Sequence, residues 1–257
     1  MITSAANAQV KNVIQLNQRA KARREQGLFV AEGRKMFLEA PRDWIHKVYL
    51  SSTVVDPDWE AALADIPYEI VEEKVFRQMS DTKTPQGVLT LLKTPSYSFA
   101  DLMRREHPLL VLLEDLQDPG NVGTILRTAE GAGADGVLLT KRTADLLQPK
   151  VIRSTMGSIY RMPFYQLGEN PAKELEQLKK MGICSYAAHL RGEHTYDRED
   201  YTKGTLFFIG NEGNGLSEAL TGMADRLIRI PMAGQVESLN AAMAAGILMY
   251  EAARQRR

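Results

Sequence analysis

The sequence predicts an α/β protein built on a largely parallel sheet and preceded by a smaller α/β domain. Three observations carry this expectation. Short, mainly apolar, strand-like runs at Leu109–Leu113, Gly136–Leu139, 184–187, Thr205–Ile209 and 227–230 alternate with helical patterns. Short strands that are nearly continuous in apolar residues point to burial on both faces, as in parallel sheets covered by helices. Residues 93–108 hold Pro95, Ser96, Ser98 and Pro108 among scattered charges and read as a linker. At 257 residues the chain is long enough for two domains.

Taken in order, Val10, Val13, Ile14 and Leu16 recur at helical spacing and run into a basic segment, 19–24. A short strand at 28–30 precedes a helix over 33–39, strands follow at 47–50 and Tyr68–Val71, then a helix at Glu73–Met79 and a strand at 88–92. Mixed elements over this length predict a small α/β domain, residues 1–92. Beyond the linker, residues 109–257 form the second domain, with helices expected at 122–132, 149–156, 172–181 and 241–254. The last strand stops at Pro231, which cannot donate to a ladder, and Ser238 or Asn240 stands ready to cap the final helix.

Apolar and charged fractions of 44% and 25% are those of an ordinary globular protein. No apolar run could span a bilayer and no signal-peptide core is present, so no membrane partner is expected. The single Cys184 rules out an internal disulfide framework and fits a reducing cytoplasm. The four histidines show no zinc spacing with it, so no metal is expected. Net charge is zero, yet residues 1–35 carry seven basic groups against Glu25 and Glu32, a local +5. Within that stretch Arg19, Lys21, Arg23 and Arg24 form a candidate phosphate-binding patch; the bland alternative is a solvated helix face.

Three strand-to-helix loops could carry chemistry, because ligands of α/β sheets bind at the carboxyl ends of strands. The first, 113–127, has a Pro-Gly turn, then Asn121 near a helix start and Arg127 about two turns on. The second, 207–217, places Gly210, Gly213 and Gly215 around Glu212, so that a ligand can approach the backbone closely. The third, 230–240, holds Ser238 and Asn240 before the Ala- and Met-rich last helix. The stretch 131–136 matches G-x-G-x-x-G but ends a helix and leads into a strand, the wrong order for a dinucleotide fingerprint. A Walker-type phosphate loop is absent.

Together, 114–127, 208–217 and 230–240 resemble, in order, the three motifs of the SpoU family in the SPOUT superfamily of RNA methyltransferases. Residues 153–158 are similar to its intervening helix-and-turn segment, and 2–39, with the run 24–33, to its substrate-binding domain. The resemblance implies a parallel α/β domain with a deep carboxyl-terminal trefoil knot, homodimeric through that domain and its final helix. It implies S-adenosylmethionine as cofactor, touched by Gly210, Ile230 and Leu239. The implied reaction is methylation of a ribose 2′-hydroxyl in RNA, ribosomal RNA favoured over transfer RNA. Asn121, Arg127, Glu212, Ser238 and Asn240 are the matching polar residues. The family gives the arginine, from the partner subunit, the role of general base. A guanidinium stays protonated, so gripping a phosphate and stabilising a developing alkoxide suits Arg127 better. Base methylation, methylation of transfer RNA, and a non-catalytic RNA-binding factor of the same fold are the competing readings. A nucleotide-dependent hydrolase lacks any identifiable phosphate loop, metal cluster or nucleophile–base pair.

Overall fold

The computed structural model describes residues 1–54 and 59–257. The elements run α1 (Ala8–Gln18), α2 (Ala20–Gln26), β1 (Leu28–Glu32), α3 (Arg34–Glu39), β2 (Ile45–Ser51), α4 (Trp59–Ala62), β3 (Tyr68–Val71), α5 (Glu73–Met79) and β4 (Val88–Lys93). They continue with β5 (Leu109–Leu113), α6 (Pro119–Ala132), β6 (Gly136–Leu139), α7 (Pro149–Thr155), β7 (Phe164–Gln166) and α8 (Ala172–Lys180). The last are β8 (Cys184–Ala188), β9 (His194–Thr195), β10 (Thr205–Ile209), α9 (Glu218–Met223), β11 (Arg226–Arg229) and α10 (Ala241–Gln255).

Two compact units result: Met1–Ser96 with Asp145–Tyr160, and Tyr97–Ala144 with Arg161–Arg257. In the first, a four-stranded mixed sheet has the order β1-β4-β2-β3, with β4 antiparallel to both neighbours and β2 parallel to β3. Helix α1 begins where Asn7 accepts from the Gln9 amide at 2.8 Å and buries Val10, Val13 and Leu16 on one face. Those side chains join Val30, Tyr49, Phe76 and Leu91 in one core. Helix α2 ends at Gly27, whose φ of 62° supplies the left-handed cap. The segment 145–160, which contains α7, is fixed in this unit by Tyr160, whose hydroxyl donates to the Met36 carbonyl at 3.0 Å.

The second unit is a seven-stranded sheet in the order β7-β6-β5-β10-β8-β11-β9, every recorded pairing parallel. All five residues of β5 and of β10 are buried, as central strands of a doubly covered sheet must be. The expected strands are therefore found, and β7 and β9 are added at the two edges. The interval 93–108 is not all linker. Ser98 and Asp101 form a capping box over a turn of 3₁₀ helix, and Leu102 is buried in the core of the second unit. Helix α6 starts earlier than residue 122, because Asp118 caps it through the Asn121 amide at 2.8 Å and Pro119 fills the first turn. It ends at Gly133, φ 75°, so the glycine-rich stretch 131–136 is a helix stop. No helix among the described residues is long and apolar enough to cross a membrane.

Candidate active site

The loops after β5, β10 and β11 meet in the second unit, and side chains bind them to one another. After β10, Gly210 lies so close to the returning chain that an added Cβ would sit 2.2 Å from the Gly215 carbonyl carbon. Only glycine fits there. The loop folds back through paired backbone bonds between Asn211 and Gly215, 3.0 and 2.9 Å. The Asn211 oxygen accepts from the Gly213 and Asn214 amides, and its Nδ2 donates to the Asp115 carbonyl at 2.8 Å. At the far end the Ser217 amide donates to Glu114 at 2.7 Å.

Glu212 is the centre of this arrangement. Its Oε1 accepts from the Asp118 amide at 3.1 Å and from Asn121 Nδ2 at 3.1 Å. Its Oε2 accepts from the Gln117 amide at 3.2 Å and Asn211 Nδ2 at 3.3 Å. Four donors fill the acceptor positions of a carboxylate. Burial pushes the Glu212 carboxyl up, but the bonds from Asn121 and from the backbone amides of Glu212, Gln117 and Asp118 outweigh it, and the group stays below the usual glutamate range. An ionised, fully bonded carboxylate is a poor proton acceptor. Its geometry suits it to orienting Asn121.

The orientation then propagates. A carboxylate only accepts, so Asn121 must turn Nδ2 to Glu212 and Oδ1 away. That Oδ1 accepts from Asn240 Nδ2 at 3.0 Å, which leaves the Asn240 oxygen to cap α10 through the Ala242 amide at 2.9 Å. Asn240, not Ser238, is the helix cap.

A cavity of about 370 Å³ opens between the loops after β10 and β11. Gly210, Ile230 and Leu239 line it, together with Glu212 and Ser238. The volume falls in the range of small-ligand sites. The walls also include Ala188, His189 and Leu190 from the end of β8 and Arg229 from β11, which sequence reasoning missed. The strand-end rule applied to 184–187 would have found His189. Ser238 is exposed and makes no hydrogen bond among the described residues. Arg127 lies six residues beyond Asn121, about 9 Å along the helix and on another face. It is exposed and unpaired among the described residues, so one chain does not bring it to Glu212.

One expected phosphate contact is corrected. Arg23 is only 4% exposed. Its Nη2 and Nε hold Asp145 at 2.6 and 3.0 Å, and its Nη1 donates to the Leu16 and Asn17 carbonyls. With its guanidinium engaged on every nitrogen inside the first unit, no fork is left for RNA. Arg19, Lys21 and Arg24 are exposed, with Lys21 3.7 Å from Glu25.

Comparison with known proteins matches residues 108–250 to the SpoU rRNA methylase family. The chain belongs to the SpoU rRNA methylase family. Residues 7–90 match the MRM3-like substrate binding domain, which covers most of the first unit. The 23S rRNA (guanosine(2553)-2′-O)-methyltransferase RlmP of Bacillus subtilis is 32% identical, with 97% of each chain covered. Among solved structures, the SpoU methyltransferase AviRb of Streptomyces viridochromogenes in complex with AdoMet is similar at a TM-score of 0.87, with 28% identity over 97% of this chain and 98% of that one. An AdoMet-bound rRNA methyltransferase of Sinorhizobium meliloti is similar at 0.86, with 32% identity over 98% and 97%. The two SpoU motifs that form loops on β10 and β11 are thus the two that line the cavity.

Proposed function

We propose that this chain transfers the methyl group of S-adenosylmethionine to a ribose 2′-hydroxyl of ribosomal RNA, as a cytoplasmic homodimer. The observation that carries the reading is the polar chain Glu212–Asn121–Asn240, which starts on the wall of the cavity lined by Gly210, Ile230 and Leu239. Relatives that cover the whole chain, amino-terminal unit included, support ribosomal over transfer RNA. Likeness to SpoU methyltransferase structures over nearly the whole chain supports the trefoil knot that the resemblance implies.

The cavity fits the cofactor. Gly210, packed against the returning Gly215 backbone, lines it on one side, and Ile230 and Leu239 offer apolar walls. When bound, S-adenosylmethionine supplies an electrophilic methyl group. The residues do the rest. Asn121 keeps one amide hydrogen and one oxygen lone pair beyond its bonds to Glu212 and Asn240, enough to orient a hydroxyl. Ser238 adds a free hydroxyl on the cavity wall. Arg127 needs a second subunit to reach that point; there it would grip a phosphate and stabilise the developing alkoxide. Helix α10, which packs on α6 and leaves Met243 and Tyr250 61% and 48% exposed, supports a homodimer face beside Arg127. Arg19, Lys21 and Arg24 supply phosphate contacts on the first unit.

The test is to supply methyl-labelled S-adenosylmethionine with a 23S rRNA transcript and map the label. Label on a ribose oxygen is expected. Label on a base, or none with S-adenosylmethionine bound, overturns the reading.

A further inference from the structure

Asp115, directly after Glu114, has φ of 52°, a left-handed conformation that side chains rarely adopt. The residue is held there. Thr140, the first residue after β6, donates through Oγ1 to Asp115 Oδ1 at 2.6 Å and accepts from the Asp115 amide at 2.9 Å. Thr140 is itself tied to β5, its amide donating to the Leu113 carbonyl at 3.1 Å. Arg142 reaches the other Asp115 oxygen at 3.0 Å, but from an exposed position. Thr143 stands 3.3 Å from the Thr140 hydroxyl and donates its own proton to the Leu113 carbonyl.

The three residues after Asp115 belong to the segment that holds Glu212. The Asp115 carbonyl accepts from Asn211, the Leu116 carbonyl accepts from the Ala144 amide at 2.8 Å, and the next two amides, Gln117 and Asp118, both donate to Glu212. A change of φ at Asp115 swings all of these groups together. We propose that Thr140 and Asp115 form a hydroxyl–carboxylate lock that positions Glu212 and, through it, Asn121. Both are positioning residues, not catalytic ones, and the proposal rests on the methyl-transfer reading of the site. If Asp115 were only a turn residue, glycine would serve equally well, since glycine adopts this φ freely.

Four variants separate these cases. Thr140→Val keeps the shape and removes the hydroxyl, whereas Thr140→Ser keeps the hydroxyl. Asp115→Gly keeps the turn and removes the acceptor, whereas Asp115→Asn keeps an acceptor and removes the charge facing Arg142. Loss of a part-buried hydrogen bond corresponds to about a tenfold effect. Thr140→Val and Asp115→Gly should therefore lower kcat for methyl transfer by about tenfold or more, with the dissociation constant for S-adenosylmethionine changed less than about twofold. Amide hydrogen exchange over 114–121 should quicken by a similar factor in those two and stay at the wild-type rate in Thr140→Ser and Asp115→Asn. Wild-type exchange in Thr140→Val, or failure of serine to rescue, overturns the lock. If the wild-type protein methylates no ribosomal RNA, the function proposed above fails, and hydrogen exchange still decides the lock.

Discussion

Asn240 donates through Nδ2 to the Asn121 oxygen at 3.0 Å, and this single bond joins the cap of α10 to the amino end of α6. It closes a one-way chain of donors, from the α10 amides through two side-chain amides to Glu212. Asn240→Asp separates its two duties. Aspartate is as good a helix cap as asparagine, but it offers Asn121 a second acceptor in place of a donor. Thermal stability should stay within a few degrees of wild type. The kcat should fall by about a hundredfold, the scale of losing one preorganised polar group at a reacting centre. A calorimetric scan and single-turnover transfer on the same preparation check both halves.

Arg127 is exposed and unpaired among the described residues, so removing it should disturb nothing within one chain. Arg127→Ala is expected to abolish methyl transfer while isothermal titration finds cofactor affinity nearly unchanged. Arg127→Lys should remain well short of full activity, because an ammonium cannot make a two-pronged phosphate contact. Full transfer by the lysine variant would reduce the role to simple charge.

The basic start of the chain divides into two kinds of residue. Neutralising Arg19, Lys21 and Arg24 together should weaken RNA binding and flatten its dependence on salt. Arg23→Ala should instead cost about 3 kcal/mol of folding stability, the low end for breaking a buried pair, because Asp145 keeps some exposure to water. Filter binding at several salt concentrations and urea melts distinguish them. A large loss of RNA affinity in a fully stable Arg23→Ala protein would contradict the division.

Acid should loosen the loops around Glu212. Its carboxyl titrates below the ordinary glutamate range when folded, so its ionised form favours the folded state. That contribution is complete above the unfolded-state value and disappears as pH falls through the folded-state value. The stability difference between wild type and Glu212→Gln should therefore shrink as melts are taken from pH 7 towards pH 3. A constant difference across that window would mean that the charge of Glu212 contributes nothing to the fold.

Much of the second unit was legible because buried parallel strands write themselves as mainly apolar runs: β5, β6, β8 and β10 lie where such runs occur, and β11 carries Leu227 and Ile228 between two exposed arginines. Edge strands β7 and β9, of three and two residues, carry no such signature. The Pro-Gly pair at 119–120 reads equally as a turn or as the first turn of a helix, and only the Asp118 cap decides it. At the site, Gly210, Ile230 and Leu239 were found through motif resemblance, and they do line one cavity. Arg23 was misread because its partner, Asp145, lies 122 positions away. Thr140 was hidden in the same way, 25 positions from Asp115. Charge patterns report which residues are basic, and tertiary partners decide which of them face water.

The Arg23–Asp145 pair also bears on how the protein is made. The amino-terminal unit owns residues 145–160, so its fold cannot be completed when Ser96 leaves the ribosome. Until Asp145 and Tyr160 are synthesised, a guanidinium destined for burial has no counter-charge, and the Met36 carbonyl lacks its tyrosine donor. Domains usually finish folding in the order of synthesis. Here β5, α6 and β6 of the second unit emerge first, so the amino-terminal unit is completed late. A fragment cut after Ser96 would be an unfinished piece.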